Sequence, residues 1–370
     1  MGLNSLQREL VLIAAAGVAL LLIEFFSLNA VIGFRFAAQA FLQSLLLWGL
    51  LWHQCWQRRA RNRASADSPL LTSLGWANRL TLARGWLIAM CAGLLFQPAA
   101  SAGTAWLPAI GYSLAAIADR FDGYVARRTR NTTVLGSELD MSFDAIGLVI
   151  APLLAVSYGK IHPLYLLVSI AYYLFVAGIY WRRRHGKPVL PLRKSELRRT
   201  LAGMQMGFVA FVLWPPLQAT LTTVAGIAFM LPLLAGFWID WLVVSARLPA
   251  HTKEAEQQFQ QRKEFSHQWL QPALRVVLLA SLALAEWQQR GNAPLTLLLI
   301  AVCLLILLGI AGRTLAVLLL LLLNWTPGVD FTSTIGVLIV FSAVWILVLG
   351  TGRFTLWQRD ADWITQQDGA

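Results

Sequence analysis

Four aspartates lie in one polar part of an otherwise apolar sequence, with a spacing that could bring their carboxylates together. They are Asp119, Asp122, Asp140 and Asp144. The first two are three residues apart and the last two are four apart, so each pair would share one face of a helix. The polar residues 128–136 between the pairs predict a turn that can fold the two helical faces together.

Carboxylates that face one another at membrane level repel, and their desolvation is costly unless cations compensate the charge. Oxygen ligands without histidine or cysteine favour hard ions such as Mg²⁺ or Mn²⁺. Four carboxylates can hold two such ions, and two ions can brace a diphosphate while an oxygen nucleophile attacks in line. The aspartates therefore predict metal-dependent chemistry at a diphosphate.

Small and basic residues beside the first aspartate pair suit the same chemistry. Gly123 and Ala126 follow Asp119 and Asp122 at helical spacing, and their small side chains would let a bulky nucleotide lie against the helix. Arg127 adds a fixed positive charge suited to phosphate oxygens.

The elements that carry these residues are predicted to be membrane helices. The chain has 370 residues, of which 58% are hydrophobic and only 13% charged, whereas a soluble domain is about 25% charged. Apolar runs near the length of a bilayer crossing predict an all-α polytopic membrane protein with about twelve transmembrane helices. We place them near residues 11–28, 36–56, 85–98, 104–121, 139–158, 161–181, 200–217, 220–246, 272–287, 293–311, 313–324 and 332–350. Residues 68–83 form a shorter amphipathic piece that could lie in the interface.

The distribution of basic residues predicts the orientation in the membrane. The formal net charge is +12, and arginines and lysines cluster between apolar runs, in residues 58–63 and 182–187. This pattern is typical of cytoplasmic loops that face anionic lipid headgroups, so no nucleic-acid partner is expected. Alternating spans then place the aspartate segment and both termini in the cytoplasm, which we expect for a protein of a bacterial inner membrane.

The full pattern D119-x2-D122-G123-x2-A126-R127-x8-G136-x3-D140-x3-D144 resembles the signature of the CDP-alcohol phosphatidyltransferase family (class I) at every fixed position. The lead-in NRLTLAR, residues 78–84, resembles the N-x-L-T-x-x-R entry to the first core helix of that family. The resemblance implies a six-helix core over residues 85–246, which is under half of the chain.

The resemblance also implies a reaction and a set of roles. A phosphatidyl-type group would pass from a CDP-linked lipid to an alcohol, with release of CMP. The reaction would depend on two divalent ions, Mg²⁺ or Mn²⁺. Asp119, Asp122 and Asp140 would bind the metal pair, and Asp144 would be the general base and could touch a metal too. The CDP pocket would be lined by Gly123, Ala126, Arg127, Gly136 and Thr81.

The acceptor alcohol is predicted less directly. Arg79 and Arg84 precede the first core span and could bind a phosphorylated acceptor, with glycerol 3-phosphate as our choice. The basic loop 182–194 could steer such an acceptor instead, although ordinary positive-inside charge also explains it.

We divide the chain into N-terminal membrane helices (1–66), the phosphatidyltransferase core (67–246) and a C-terminal membrane-helix module (247–370). The flanking helices carry no recognised chemical motif and could form a homodimer surface, a lipid path or a separate module. The sequence is also compatible with two other functions. One is a phosphotransferase that uses a soluble CDP-alcohol and a lipid hydroxyl; the other is a transporter or scaffold that keeps the fold.

Overall fold

A computed structural model describes residues 4–97, 104–129, 132–192, 196–248, 257, 261–289, 293–326 and 329–357. Within those residues the chain is helical and contains no β-strand. The α-helices with described bounds are α1 (Ser5–Ile32), α2 (Phe34–Arg58), α3 (Gly75–Gly93), α4 (Trp106–Arg128), α5 (Val134–Ser157), α6 (Leu166–Arg184), α7 (Glu196–Val212), α8 (Ala219–Val244), α9 (Gln271–Gln289), α10 (Ala293–Leu307), α11 (Gly312–Asn324) and α12 (Thr334–Leu349). Short 3₁₀ turns lie at Arg59–Arg61 and Pro163–Tyr165, and a π-helical turn at Ser266–Leu270 precedes α9.

The predicted all-α polytopic membrane fold is confirmed. Six helical segments in the described part of the chain are long and apolar enough to cross a membrane, and four shorter apolar helices accompany them. The six are Ser5–Ile32, Phe34–Arg61, Val134–Ser157, Pro163–Arg184, Ala219–Val244 and Gln261–Trp287. The figure of twelve crossings stays a prediction.

Helix α3 differs from the sequence-based expectation. Residues 68–83 were expected to be separate from a span that begins near residue 85, but α3 runs without interruption from Gly75 to Gly93. Hydropathy placed the boundary there because Asn78, Thr81 and Arg84 are polar. The structure buries all three side chains inside the protein, so a polar face of α3 continues directly into its apolar part.

The described residues divide into two compact units. The first comprises residues 1–160 and 206–216, and it holds the predicted aspartate site. Its core contains buried residues from both ends of this stretch of chain: Leu6, Leu10, Leu51, Cys55, Leu74, Leu82, Ile88, Ala115, Leu135, Leu139 and Phe143. Burial of this shared apolar surface, at about 25 cal/mol per Å², therefore stabilises α1 and α2 together with α3, α4 and α5. The three-part division made from the sequence stays a prediction.

The second unit comprises residues 161–205 and 217–370 and has contacts of its own. The indole of Trp345 on α12 donates to the carbonyl of Ala228 on α8 over 3.0 Å. Arg275 on α9 is 3% exposed, and its guanidinium donates to the carbonyl of Leu307 over 2.8 Å. Buried polar groups of this kind need such partners because an unmet donor costs about 1–3 kcal/mol.

Candidate active site

The side chain of Arg84 lies among the four aspartates. Its Nη1 atom pairs with Asp119 and lies 3.7 Å from Oδ2 of Asp122. Its Nη2 atom lies 2.8 Å from Oδ1 of Asp140 and 3.1 Å from Oδ1 of Asp144. One fully buried guanidinium, with 0% of its side chain exposed, thus joins carboxylates from two helices. The prediction that the two aspartate pairs face each other is met by this geometry.

Three helices of the first compact unit supply these groups. Arg84 comes from α3, the pair Asp119 and Asp122 from one turn of α4, and the pair Asp140 and Asp144 from one turn of α5. Because residues three or four apart lie on the same helical face, each helix presents its whole pair at once.

The rotation of α5 is set by its apolar neighbours. Leu139 and Phe143 are both 0% exposed and belong to the core that α2 and α3 share. Each of them directly precedes an aspartate, Asp140 or Asp144. Successive residues of an α-helix are about 100° apart around its axis, so burial of the leucine and the phenylalanine fixes the direction in which the two carboxylates project.

The aspartates are not equivalent. Asp119, Asp140 and Asp144 each offer an oxygen atom, and these three atoms lie within 4.8 Å of one another. Asp122 stands outside that group: it is 6% exposed and accepts a 2.9 Å hydrogen bond from the hydroxyl of Thr81. The structure therefore brings three of the four predicted metal ligands into coordinating reach and holds the fourth against α3.

The charge of this cluster is only partly compensated. Arg84 carries one positive charge and faces four carboxylates. Oδ1 of Asp144 is buried and has no hydrogen-bond donor in the part of the chain that the structure describes, although Arg84 lies near it. A buried carboxylate oxygen without a hydrogen-bond donor, in an oxygen-only set that shares a single arginine, suits a hard divalent cation. Three of the described carboxylates could therefore hold Mg²⁺ or Mn²⁺.

Most of the residues predicted to line the CDP pocket lie in the described part of the chain. Gly123 and Ala126 are half-buried on α4, and the side chain of Arg127 lies outside the described residues. Thr81 is 3% exposed, and its hydroxyl lies within hydrogen-bonding distance of two acceptors, the carboxylate of Asp122 at 2.9 Å and the carbonyl of Ala77 at 3.1 Å. Thr81 is thus engaged with an aspartate of the site.

Close packing explains why residue 136 is a glycine, which the sequence alone did not reveal. A Cβ atom at this position would overlap the amide oxygen of Asn78 and approach the hydroxyl of Thr133. Thr133 is the N-cap of α5 and accepts a 3.0 Å hydrogen bond from the backbone N–H of Gly136. A larger residue at position 136 would displace the side chain of Asn78 from the place where the first turn of α5 meets α3.

The two arginines predicted for the acceptor lie in different surroundings. The guanidinium of Arg84 contacts the aspartates. Arg79 is 40% exposed; its Nε atom donates to Oε1 of Glu9 over 2.7 Å, and its guanidinium lies 4.9 Å from the ring of Trp76. Arg79 is not among the described residues that contact the aspartates.

Sequence reasoning missed the role of Arg84 as the cation that faces the aspartates. The available signal was an arginine inside an apolar helix, which requires an internal partner. It also missed that α2 and the turn after it contact α5, through Gln54 and Arg61. In the second unit, Arg182 of the basic loop is 9% exposed and donates to the carbonyls of Pro188 and Ser245, so it stabilises that loop.

Comparison with known proteins finds one similarity, to a protein family. The sequence model of the CDP-alcohol phosphatidyltransferase family matches residues 74–247, slightly under half of the chain. No curated protein and no solved structure was found to match. The matched region contains α3, α4 and α5 and all four aspartates. Residues 74–247 are therefore similar to the CDP-alcohol phosphatidyltransferase family, a family of transferases for substituted phosphate groups, and further helices lie on both sides of that region.

Proposed function

We propose that this enzyme transfers a phosphatidyl-type group from a CDP-linked lipid to an alcohol and releases CMP. The observation that carries the proposal is the convergence of Asp119, Asp140 and Asp144, with oxygen atoms within 4.8 Å, inside a region that matches the family. This oxygen-only set fits Mg²⁺ or Mn²⁺, and we propose two ions. When bound, such ions would neutralise diphosphate oxygens and the charge that develops on the leaving group.

Exposure indicates which aspartates can meet a substrate. The side chains of Asp140 and Asp144 are 45% and 34% exposed, whereas that of Asp122 is 7% exposed. A residue that exchanges a proton with a substrate must be reachable from outside. We therefore assign the general base to Asp144, whose buried Oδ1 has no hydrogen-bond donor among the described residues and whose side chain is still accessible.

The proposed step is an in-line displacement. The acceptor hydroxyl oxygen forms a bond to the phosphorus on the lipid side of the diphosphate, and the bond from that phosphorus to the CMP oxygen breaks. The hydroxyl proton passes to the carboxylate of Asp144, and CMP leaves with the bonding electron pair. Asp122, buried and hydrogen-bonded by Thr81, holds α4 against α3 while this occurs.

Among acceptors we propose glycerol 3-phosphate. Its phosphate needs a cation, and α3 offers Arg79 and Arg84. Arg84 is 0% exposed, which favours Arg79, provided that Arg79 exchanges its partner Glu9 for the phosphate. We propose that the site lies at the cytoplasmic end of its helices in a bacterial inner membrane, where a soluble alcohol meets a donor whose acyl chains stay in the bilayer.

The test is CMP release by the purified full-length protein in lipid vesicles, with Mg²⁺ or Mn²⁺. One arm offers CDP-diacylglycerol with glycerol 3-phosphate, an inositol phosphate or an uncharged alcohol; the other offers a soluble CDP-alcohol with diacylglycerol. We expect CMP only in the first arm, fastest with glycerol 3-phosphate, and none from Asp119→Ala. Asp330→Asn, an exposed acid between α11 and α12, is the control and should keep full activity. CMP release only in the second arm, or in neither, would contradict the proposal.

A further inference from the structure

Helix α2 and the turn after it, residues 59–63, lie outside the family match, which begins at residue 74. They nevertheless contact α5, the helix that carries Asp140 and Asp144. The contacts fall at Val134, Glu138 and Ser142 of α5. These positions are four residues apart, so they form one stripe along the helix. The stripe begins in the first turn and ends between Asp140 and Asp144.

The contact nearest to the chemistry joins Ser142 to Gln54. The hydroxyl of Ser142 donates to Oε1 of Gln54 on α2 over 2.6 Å, and both side chains are half-buried. Ser142 lies two residues from each aspartate of α5. Because this bond joins one turn of α5 to α2, its loss would let the turn rotate or shift.

The start of α5 is held by the backbone of the same segment. The N–H of Val134 donates to the carbonyl of Arg63 over 2.9 Å. Glu138, one turn later, pairs with Arg61, and Arg58 lies 3.9 Å away. Arg61 is 60% exposed, so this ion pair contributes little energy by itself and chiefly adds to the alignment.

A buried amide pair continues the link to α3. Asn62 is 0% exposed, and its Nδ2 atom donates to the carbonyl of Ser73 over 2.8 Å. Its Oδ1 atom accepts from Nδ2 of Asn78 over 3.2 Å, and the same amide group donates to the hydroxyl of Thr133, the N-cap of α5, over 3.0 Å. One asparagine from outside the family match thus connects the starts of α3 and α5.

Apolar packing supports the polar contacts. Leu51 and Cys55 of α2 are 0% exposed and share one core with Leu135, Leu139 and Phe143 of α5. The face that α5 turns toward this core determines where Asp140 and Asp144 point. The helices before residue 74 therefore help to define the geometry of the site.

We propose that α2 and the turn that follows it are a positioning element of the active site, with Gln54 as a positioning residue that acts on Asp140 and Asp144 through Ser142. This inference rests on the proposed function. It gives the N-terminal helices a role within the phosphatidyltransferase site, because a displacement of well under 1 Å in a ligand helix changes the affinity of a metal site.

The test is Mn²⁺ binding to the purified full-length protein, followed by electron paramagnetic resonance of free Mn²⁺. Gln54→Leu and Ser142→Ala should each weaken Mn²⁺ binding by about tenfold, the lower end of the effect expected when a residue that orients a metal ligand is lost. The double variant should be no weaker than either single variant, because both substitutions break the same bond. Ser142→Thr keeps the hydroxyl donor and should restore the affinity.

Ser137→Ala is the matched control, since the exposed hydroxyl of Ser137 donates to the carbonyl of Val134 in its own helix and has no other described partner. It should bind Mn²⁺ as the wild type does. A structural effect alone would lower the unfolding temperature of Gln54→Leu and Ser142→Ala while Mn²⁺ affinity stayed unchanged, and this result would overturn the inference. Failure of the wild type to bind Mn²⁺ and release CMP would instead overturn the proposed function, and the inference with it.

Discussion

The guanidinium of Arg84 lies 2.8 Å from the carboxylate of Asp140, and its other terminal nitrogen contacts an aspartate of a different helix. The arginine is fully buried, so its charge depends on these carboxylates for compensation. The reverse also holds, because without Arg84 the four aspartates would lose the one arginine that, among the described residues, lies within 3.7 Å of all four carboxylates. Folding of this unit in the absence of metal therefore depends on a mixed cluster of four acids and one base.

Replacement of Arg84 by glutamine should destabilise the metal-free protein strongly. Removal of one partner from a buried ion pair costs about 3–5 kcal/mol, since the other charge stays buried. Thermal unfolding in detergent with EDTA measures this loss. Addition of Mn²⁺ should recover a larger share of stability in Arg84→Gln than in the wild type, because the ion supplies the missing positive charge.

Arg59→Gln is the control for that experiment. Arg59 donates to the carbonyl of Trp56 over 2.7 Å and lies over its ring, without contact to the aspartates among the described residues. Its loss should be small and independent of Mn²⁺. An Arg84→Gln protein as stable as the wild type in EDTA would show that the arginine does not compensate the acids.

Asp144→Asn should retain binding of the CDP donor and lose turnover. The amide keeps the size of the side chain but cannot accept the hydroxyl proton, and positioned proton transfer contributes about 10²- to 10⁴-fold to a rate. The kcat for CMP release and the affinity for CDP-diacylglycerol should be measured on the same preparation. Turnover at the wild-type rate would remove Asp144 from the role of base.

Removal of divalent cations should lower the unfolding temperature of the wild type, because an ion that binds only the folded state stabilises it by about 2.7 kcal/mol at one hundred times its dissociation constant. Asp140→Asn removes one of the three clustered oxygen donors and should abolish most of this metal response. Asp330→Asn, which alters an exposed loop, should respond as the wild type does. An equal response in all three proteins would place the ion elsewhere.

Gly136→Ala should destabilise the protein by about 1–3 kcal/mol, the usual cost of overpacking a close contact. The added methyl group would overlap the amide oxygen of Asn78, and the amide nitrogen of the same side chain donates to Asn62 and Thr133, which hold it in place. Chemical denaturation reports the change. Gly207→Ala on α7 is the matched control: in the part of the chain that the structure describes, no atom lies within 4 Å of its added Cβ, and alanine favours the helix by up to about 1 kcal/mol. Equal effects of the two substitutions would contradict the close approach.

The sequence by itself determined the membrane class, the helical periodicity and the pairing of aspartates within each helix. These properties are local, since hydropathy and the three- or four-residue repeat follow from neighbouring residues alone. Asp140 and Asp144 could therefore be assigned to one face of α5 before their surroundings were known.

Only the tertiary structure decided which way those faces turn and what stands between them. Arg84 is 35 residues from Asp119 and 56 from Asp140, and Gln54 is 88 from Ser142. Contacts between residues so far apart in the sequence depend on how each helix is rotated about its axis when residues such as Leu139 and Phe143 are buried. The rotation of a helix results from the packing of many residues at once, and no local sequence pattern encodes it. For that reason, only the fold showed that Arg84 is the partner of the aspartates and that α2 contacts their helix.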